Sequence, residues 1–196
     1  MAADVRPATQ DDAELLARIG AEGFYADPVL AWVFQDDATR LERLTVAFTG
    51  LVEGMLAGGV VHLADGASAA FWRDPTFDHG ADQEDPDAEP PPFTEDELGR
   101  FQILVTAMAE HHPHDPAHWY LNVVSTLPSR QSQGLGHAVL QPVLAQADAE
   151  GMPCYLESTN PRNRTLYYRN GFEDRDEIPL DGGPSLLQMW RDPLPQ

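Results

Sequence analysis

The tightest constraint on this chain lies between His118 and Glu157. His118-Trp119-Tyr120-Leu121-Asn122-Val123-Val124-Ser125-Thr126 is aromatic and β-branched and reads as a buried strand. Pro128 to Gln133 is a polar loop. From Gly134 onward, apolar residues recur at Leu140, Val143, Leu144 and Ala147, one face of a helix. Gly151 and Pro153 end that helix, and Tyr155-Leu156-Glu157 is the next strand. A strand–loop–helix–strand crossover is right-handed and leaves its two strands parallel. The fold class that follows is α/β.

The loop sits where chemistry is to be expected. Gly134 and Gly136 lack Cβ, so a ligand can approach the backbone. The first N–H groups of the helix have no partner within it, and with the helix dipole they form an anion site suited to a pyrophosphate. Arg130 can add positive charge. Three ligands use such a site. A Walker loop requires Lys after the last glycine, but His137 follows here and the chain contains no Lys at all. A dinucleotide fingerprint requires a third glycine close after the strand; Val139 stands in that place and the loop is too long, although Glu157 is near the usual acidic position. Coenzyme A is the third.

Gln131-x-x-Gly134-x-Gly136 after a strand resembles motif A of the GNAT acetyltransferases. The block Leu156-Glu157-Ser158-Thr159-Asn160-Pro161-Arg162-Asn163, continuing through Tyr167 to Gly171-Phe172, resembles their motif B with its Tyr-x-x-x-Gly-Phe ending. Within the family, the Leu-Glu-Ser-x-x-Pro-Arg-Asn run and the Trp at 119 are similar to the puromycin N-acetyltransferase-like branch. The resemblance implies a mixed, mostly antiparallel sheet with one parallel pair splayed around acetyl-CoA, and helices on both faces. It also implies acetyl transfer to the amine of a small molecule, by direct attack in a ternary complex. Cofactor contacts would fall on Ser125, Thr126, Gln131, Ser132, Gln133, Gly134, Leu135, Gly136 and His137, with Asn160 and Asn163 near the pantetheine arm. Tyr167 would be the acid for the leaving thiolate, Tyr168 lying on another helix face. Glu157 is the candidate base, with Asp27 and Glu22 as alternatives. Phe24, Tyr25, Asp27, Trp32 and Trp119 are candidates for the acceptor pocket; each aromatic also fits a plain core role. A non-catalytic acyl-CoA sensor is the alternative use of the same fold.

Elsewhere the chain sets bounds. At 196 residues it can bury one good core, so a single domain over 1–196 is expected. A formal charge of −20 disfavours nucleic acid and anionic membrane surfaces as partners and attracts cations, including an amine. The single cysteine, Cys154, suits a reducing cytoplasm, and a monomer or homodimer is expected. Val5 begins a first strand, followed by a helix after Thr9. Another runs from about Thr39 to Gly58, and a hairpin turns at Asp65-Gly66. Residues 74–97 hold ten acids, five prolines and neither Lys nor Arg, and read as a flexible insertion. Thr94 and Glu97 form a capping box for a helix to Glu110. Four histidines between 111 and 118 invite a metal, but the intervening prolines prevent a helical ligand pair and no metal is expected. Pro142 should kink its helix, and Asp174 to Asp176 read as a turn.

Overall fold

A computed structural model describes residues 3–76 and 91–195. The acidic insertion therefore lies mostly outside the described residues. The chain runs β1 (Val5–Pro7), α1 (Ala13–Phe24), α2 (Pro28–Val33), α3 (Arg40–Gly58), β2 (Val60–Ala64), β3 (Ser68–Arg73) and α4 (Glu95–His111). It continues through β4 (Trp119–Thr126), α5 (Leu135–Glu150), β5 (Cys154–Ser158), α6 (Arg164–Arg169), β6 (Glu173–Ile178) and β7 (Leu186–Arg191). The seven strands form one sheet in the order β1-β2-β3-β4-β5-β7-β6. Only β4 and β5 pair in parallel; the other neighbours are antiparallel.

Alternation along the strands divides the core in two. On β3, Ala69 and Phe71 face the layer of α1 to α4, while Ala70 and Trp72 face α5 and α6. Successive strand side chains point to opposite faces, so a strand buried on both sides reads as a continuous apolar run, as Ala69 to Trp72 does.

The parallel pair is short. Its register comprises Trp119 with Cys154 and Tyr120 with Tyr155. Between Phe71 and Trp72 the β3–β4 register slips by one residue, so that Asn122 is an extra residue on β4. A bulge of this kind bends its strand and increases the local twist. Beyond it β4 follows β3 while β5 follows β7, and the two separate.

Helix α1 is held hard against the diverging end of β4. The Ser125 hydroxyl donates to the Ile19 carbonyl at 2.7 Å. A Cβ on Gly23 would collide with the Ser125 hydroxyl, so glycine is required for this approach. At its start, α1 is preceded by a helical turn, Gln10–Asp12, where Asp12 accepts from the Thr9 amide at 2.9 Å and from Arg6 at 2.7 Å. The Thr94–Glu97 box caps α4 as the sequence implies, with bonds of 2.8 and 3.2 Å in the two directions.

One local expectation needs correction. Asp174 to Asp176 is not a turn: it lies within β6, an edge strand whose first five residues are all exposed. Charged side chains blunt an open sheet edge against further pairing, so the same residues that look like turn formers serve as edge protection. Pro142 lies inside its helix, as read from the sequence, and that helix runs from Leu135 to Glu150.

The end of α5 is fastened to β7 by Asp148, which accepts from Arg191 at 2.8 Å and from the Leu194 amide at 2.8 Å. The Arg191 guanidinium holds the Asp148 carboxyl below its ordinary value, so this contribution is present above the unfolded carboxyl pKa of about 3.9 and is lost as pH falls through the lower folded value. Asp148→Asn should cost about 1.5–3 kcal/mol at pH 7, and denaturation curves at pH 3 and below should show the difference from wild type shrinking. Gly23→Ala should cost about 1–3 kcal/mol by overpacking, measured as a lowered denaturation midpoint.

Candidate active site

The wedge between β4 and β5 opens onto a cavity of about 180 Å³. Leu121 to Val124 of β4, Leu156 and Glu157 of β5, and Tyr167 of α6 line it from the sheet side. Phe24 of α1 and Phe48 of α3 close it from above, their rings 5.3 Å apart. A second cavity of about 650 Å³ lies beside it, between the C-terminal turns of α4, the 112–118 segment and Tyr120. Val105, Met108, Asn122 and Glu157 line both, and so form the wall they share.

The loop before α5 has the form that an anion site needs. Gly134 is the N-cap of α5 with φ of +83°, a left-handed conformation that glycine adopts without strain. A Cβ there would meet nothing, so the surface over the helix terminus is open. Ser132 also has positive φ, at 60°. Nε2 of the Gln131 side chain donates to the Thr126 carbonyl at 3.2 Å and fixes the loop to the end of β4. Side chains at the loop are directed elsewhere. Leu135 is buried in the core, and Gly136 lies against Leu166. His137 Nδ1 is 2.9 Å from the Asn170 carbonyl oxygen, which can only accept, so Nδ1 carries the hydrogen. Arg130 donates to Gln133 at 3.0 Å and pairs with Asp65 at 3.3 Å, so its charge is shared with a carboxylate rather than standing alone over the loop. Backbone N–H groups are therefore the main anion donors, and the residues present fit a diphosphate.

Ser125 and Thr126 also use their side chains structurally. Ser125 binds α1, and the Thr126 hydroxyl is 2.8 Å from that of Ser68. Asn160 caps the turn that follows it, accepting from the Arg162 amide at 3.1 Å. Asn163 lines the smaller cavity beside Tyr167.

Tyr167 is buried, its ring edge-on to Phe172 with centroids 6.1 Å apart. Burial, and secondarily the charge of Asp27, push its phenol well above the ordinary value. Tyr168 is exposed on α6 and donates to Asp174 at 3.0 Å. Asp27 is buried too, but spoken for: it accepts from the Val29 and Leu30 amides at 3.0 and 3.1 Å and from the Thr159 hydroxyl at 2.6 Å. Burial raises its pKa against these three bonds. It thus caps α2 and ties that helix to the segment after β5.

Of the acceptor candidates, Phe24 alone lines either of these two cavities. Tyr25 donates to the Asp37 carbonyl at 3.1 Å and lies under Arg40. Trp32 donates to the Gly182 carbonyl at 2.8 Å. Trp119 is in the α5 side of the core, its indole donating to Glu150 at 3.0 Å. Each of these three has a packing or anchoring contact that accounts for it.

Glu157 presents the sharpest electrostatic feature. Its side chain is 2% exposed, and Oε1 accepts no hydrogen bond. His112 Nδ1 stands 3.9 Å away. His112 Nε2 is 3.2 Å from His118 Nε2, while His118 Nδ1 is 2.8 Å from the Pro116 carbonyl. The carbonyl fixes the hydrogen of a neutral His118 on Nδ1, so its Nε2 accepts from His112 Nε2, and His112 turns Nδ1 toward Glu157. Asn122 Oδ1 is a second buried acceptor without a hydrogen bond, its Nδ2 being donated to the Tyr120 hydroxyl at 3.3 Å. An unmade bond at a buried polar atom costs about 1–3 kcal/mol, and two such atoms stand at one wall, where burial, and secondarily the charge of Glu157, raise the hydroxyl pKa values of Tyr120 and Tyr155. Sequence reasoning weighed His112 as part of a metal cluster and did not place Asn122, His112 or the α4 residues at the site; a polar residue amid the apolar run Trp119 to Val124 was the available signal for the first.

Comparison with known proteins agrees with this geometry. The acetyltransferase (GNAT) family model matches residues 60–172. An uncharacterised N-acetyltransferase of Schizosaccharomyces pombe is 32% identical over 76 residues; the match spans 34% of this chain and 31% of the yeast protein. A Corynebacterium glutamicum structure described as histone acetyltransferase HPA2 and related acetyltransferase superposes with a TM-score of 0.70 and 28% identity, covering 100% of this chain and 99% of the other. The PaiA N-acetyltransferase of Thermoplasma acidophilum, solved with coenzyme A, shares the fold with a TM-score of 0.58 at 13% identity, covering 98% and 99%. With a family match over more than half its length and a whole-chain structural likeness, the chain belongs to the acetyltransferase (GNAT) family.

Proposed function

We propose that the protein is an acetyl-CoA-dependent N-acetyltransferase acting on the amine of a small molecule, with direct attack in a ternary complex. The observation that carries this reading is the buried phenol of Tyr167 at the cavity formed where β4 and β5 part. The backbone N–H groups from Gln133 to His137 would hold the diphosphate, and Asn163 is better placed than the capping Asn160 to meet the pantetheine arm. When bound, acetyl-CoA supplies an acyl group activated as a thioester.

The chain's own residues supply orientation and proton control. Past Tyr120, β4 has no β5 partner among the described residues, which leaves backbone donors on that edge to meet an oxyanion. Glu157 takes the ammonium proton at the shared wall. Tyr167, held above its ordinary pKa of about 10, remains a donor throughout the physiological range and serves the departing sulfur. An antibiotic amine is a fitting acceptor class, given the puromycin-type run from Leu156 to Asn163. The reading includes a monomer or homodimer without nucleic acid or membrane partners. The buried thiol of Cys154, pushed up to about 12, fits a reducing cytoplasmic setting.

Thiol release from acetyl-CoA with a panel of amines tests the proposal. Tyr167→Phe should lower kcat about 10²–10⁴-fold while coenzyme A affinity changes less than threefold. Coenzyme A binding without turnover on any amine would instead identify an acyl-CoA sensor. In ultraviolet pH titration, the phenolate signal lost in Tyr167→Phe should appear only above pH 10, and Asp27→Asn should shift that signal downward.

A further inference from the structure

Resting on the transferase reading, we propose that the 650 Å³ cavity is the acceptor site and that it takes a primary amine with an aromatic or similarly bulky apolar body, its ammonium held by Glu157 and Asn122. The apolar part of the cavity wall includes Val105, Met108 and Ala109 of α4 with Pro113 and Ala117, and Tyr120 lies beneath. Arg73, Asp74 and the histidines of the 112–118 segment also line it. At its inner end stand the two acceptor atoms that lack hydrogen bonds, Glu157 Oε1 and Asn122 Oδ1. Both residues also line the Tyr167 cavity, so a group held between them faces the reaction centre while the rest of the molecule extends outward.

The chemistry of the occupant follows from what these atoms lack. An ammonium offers three N–H donors and a positive charge, enough for both acceptors at once. A hydroxyl offers one donor and no charge, and an ionised carboxylate offers these two acceptors no donor at all. The volume lies within the range of small-molecule sites, roughly 300–1,000 Å³, and far exceeds the need of a one- or two-carbon amine. Apolar walls with a few converging polar atoms are the usual form of such a site. The bulge at Asn122 is part of the device, because it places a polar side chain at the wall from a strand that is otherwise a continuous apolar run through Val124.

Calorimetry on the full chain tests this with 2-phenylethylamine, tryptamine and the uncharged 2-phenylethanol, alongside a separate titration of coenzyme A. The two amines should bind saturably, and the alcohol at least tenfold more weakly than 2-phenylethylamine. Glu157→Gln should weaken both amines at least tenfold, and Ala117→Trp, which fills the outer part of the cavity, should weaken tryptamine at least fivefold. Both variants should bind coenzyme A as wild type does, which also reports that they fold. The site assignment is overturned if neither amine binds, if the alcohol binds as well as the amine, or if both variants bind tryptamine like wild type. Failure to bind coenzyme A overturns the transferase reading instead, whatever the amines do.

Discussion

The parting of β4 from β5 is the constraint on which the rest of the molecule depends. Two residues of parallel pairing and a one-residue bulge are enough to produce it. Open sheet edges within a protein leave backbone groups without partners, a cost that folds ordinarily avoid. Between the two outer edges of the sheet the cost falls on one wedge, flanked by strands that stay paired on their outer sides with β3 and β7. The surrounding elements are arranged to keep the wedge open and dry: α1 is locked against the end of β4 through Ser125 and Ile19, and the rings of Phe24 and Phe48 cover it.

Two buried carboxylates near this wedge illustrate how environment divides chemically similar groups. Asp27 accepts three hydrogen bonds, which fix its geometry and leave it little reason to exchange protons with a ligand. Glu157 has an oxygen with no hydrogen bond and faces cavities on either side. The first is therefore a structural clamp whose negative charge helps keep Tyr167 protonated. The second is the group in position to deal with an incoming donor. Sequence alone shows an acid in each segment and offers no means to separate them, because the distinguishing partner of Asp27, Thr159, is 132 positions away.

The parts of the fold that were legible in sequence are those governed by local rules. The strand–loop–helix–strand unit, the capping box at Thr94 and the hairpin turn at Asp65-Gly66 all depend on residues within a few positions of one another. The β6 edge was misread because charge and turn propensity share the same residues, and only the strand's place at the sheet margin decides between them. The acceptor-side aromatics were ambiguous for a related reason: Trp32 and Trp119 each find an indole acceptor far along the chain, at Gly182 and Glu150. Periodicity indicates that a residue is buried, not which of two cores receives it or whether a cavity lies alongside.

The overall charge of −20 sets an apparent conflict with an anionic cofactor. It is resolved by distance. At physiological ionic strength, charges more than about 8 Å apart are largely screened when exposed, so the diffuse acidity of the surface acts mainly on slow approach. At contact, the unpaired N–H groups of the α5 terminus act within hydrogen-bonding range, where direction and dipole outweigh net charge. For the amine proposed as acceptor, the two scales would act in concert rather than in opposition: the diffuse field favours its approach, and Glu157 would favour its arrest. On the proposed reading, a chain without a single lysine meets a polyanion with backbone at the α5 terminus and a cation with side chains at the wall shared by the two cavities.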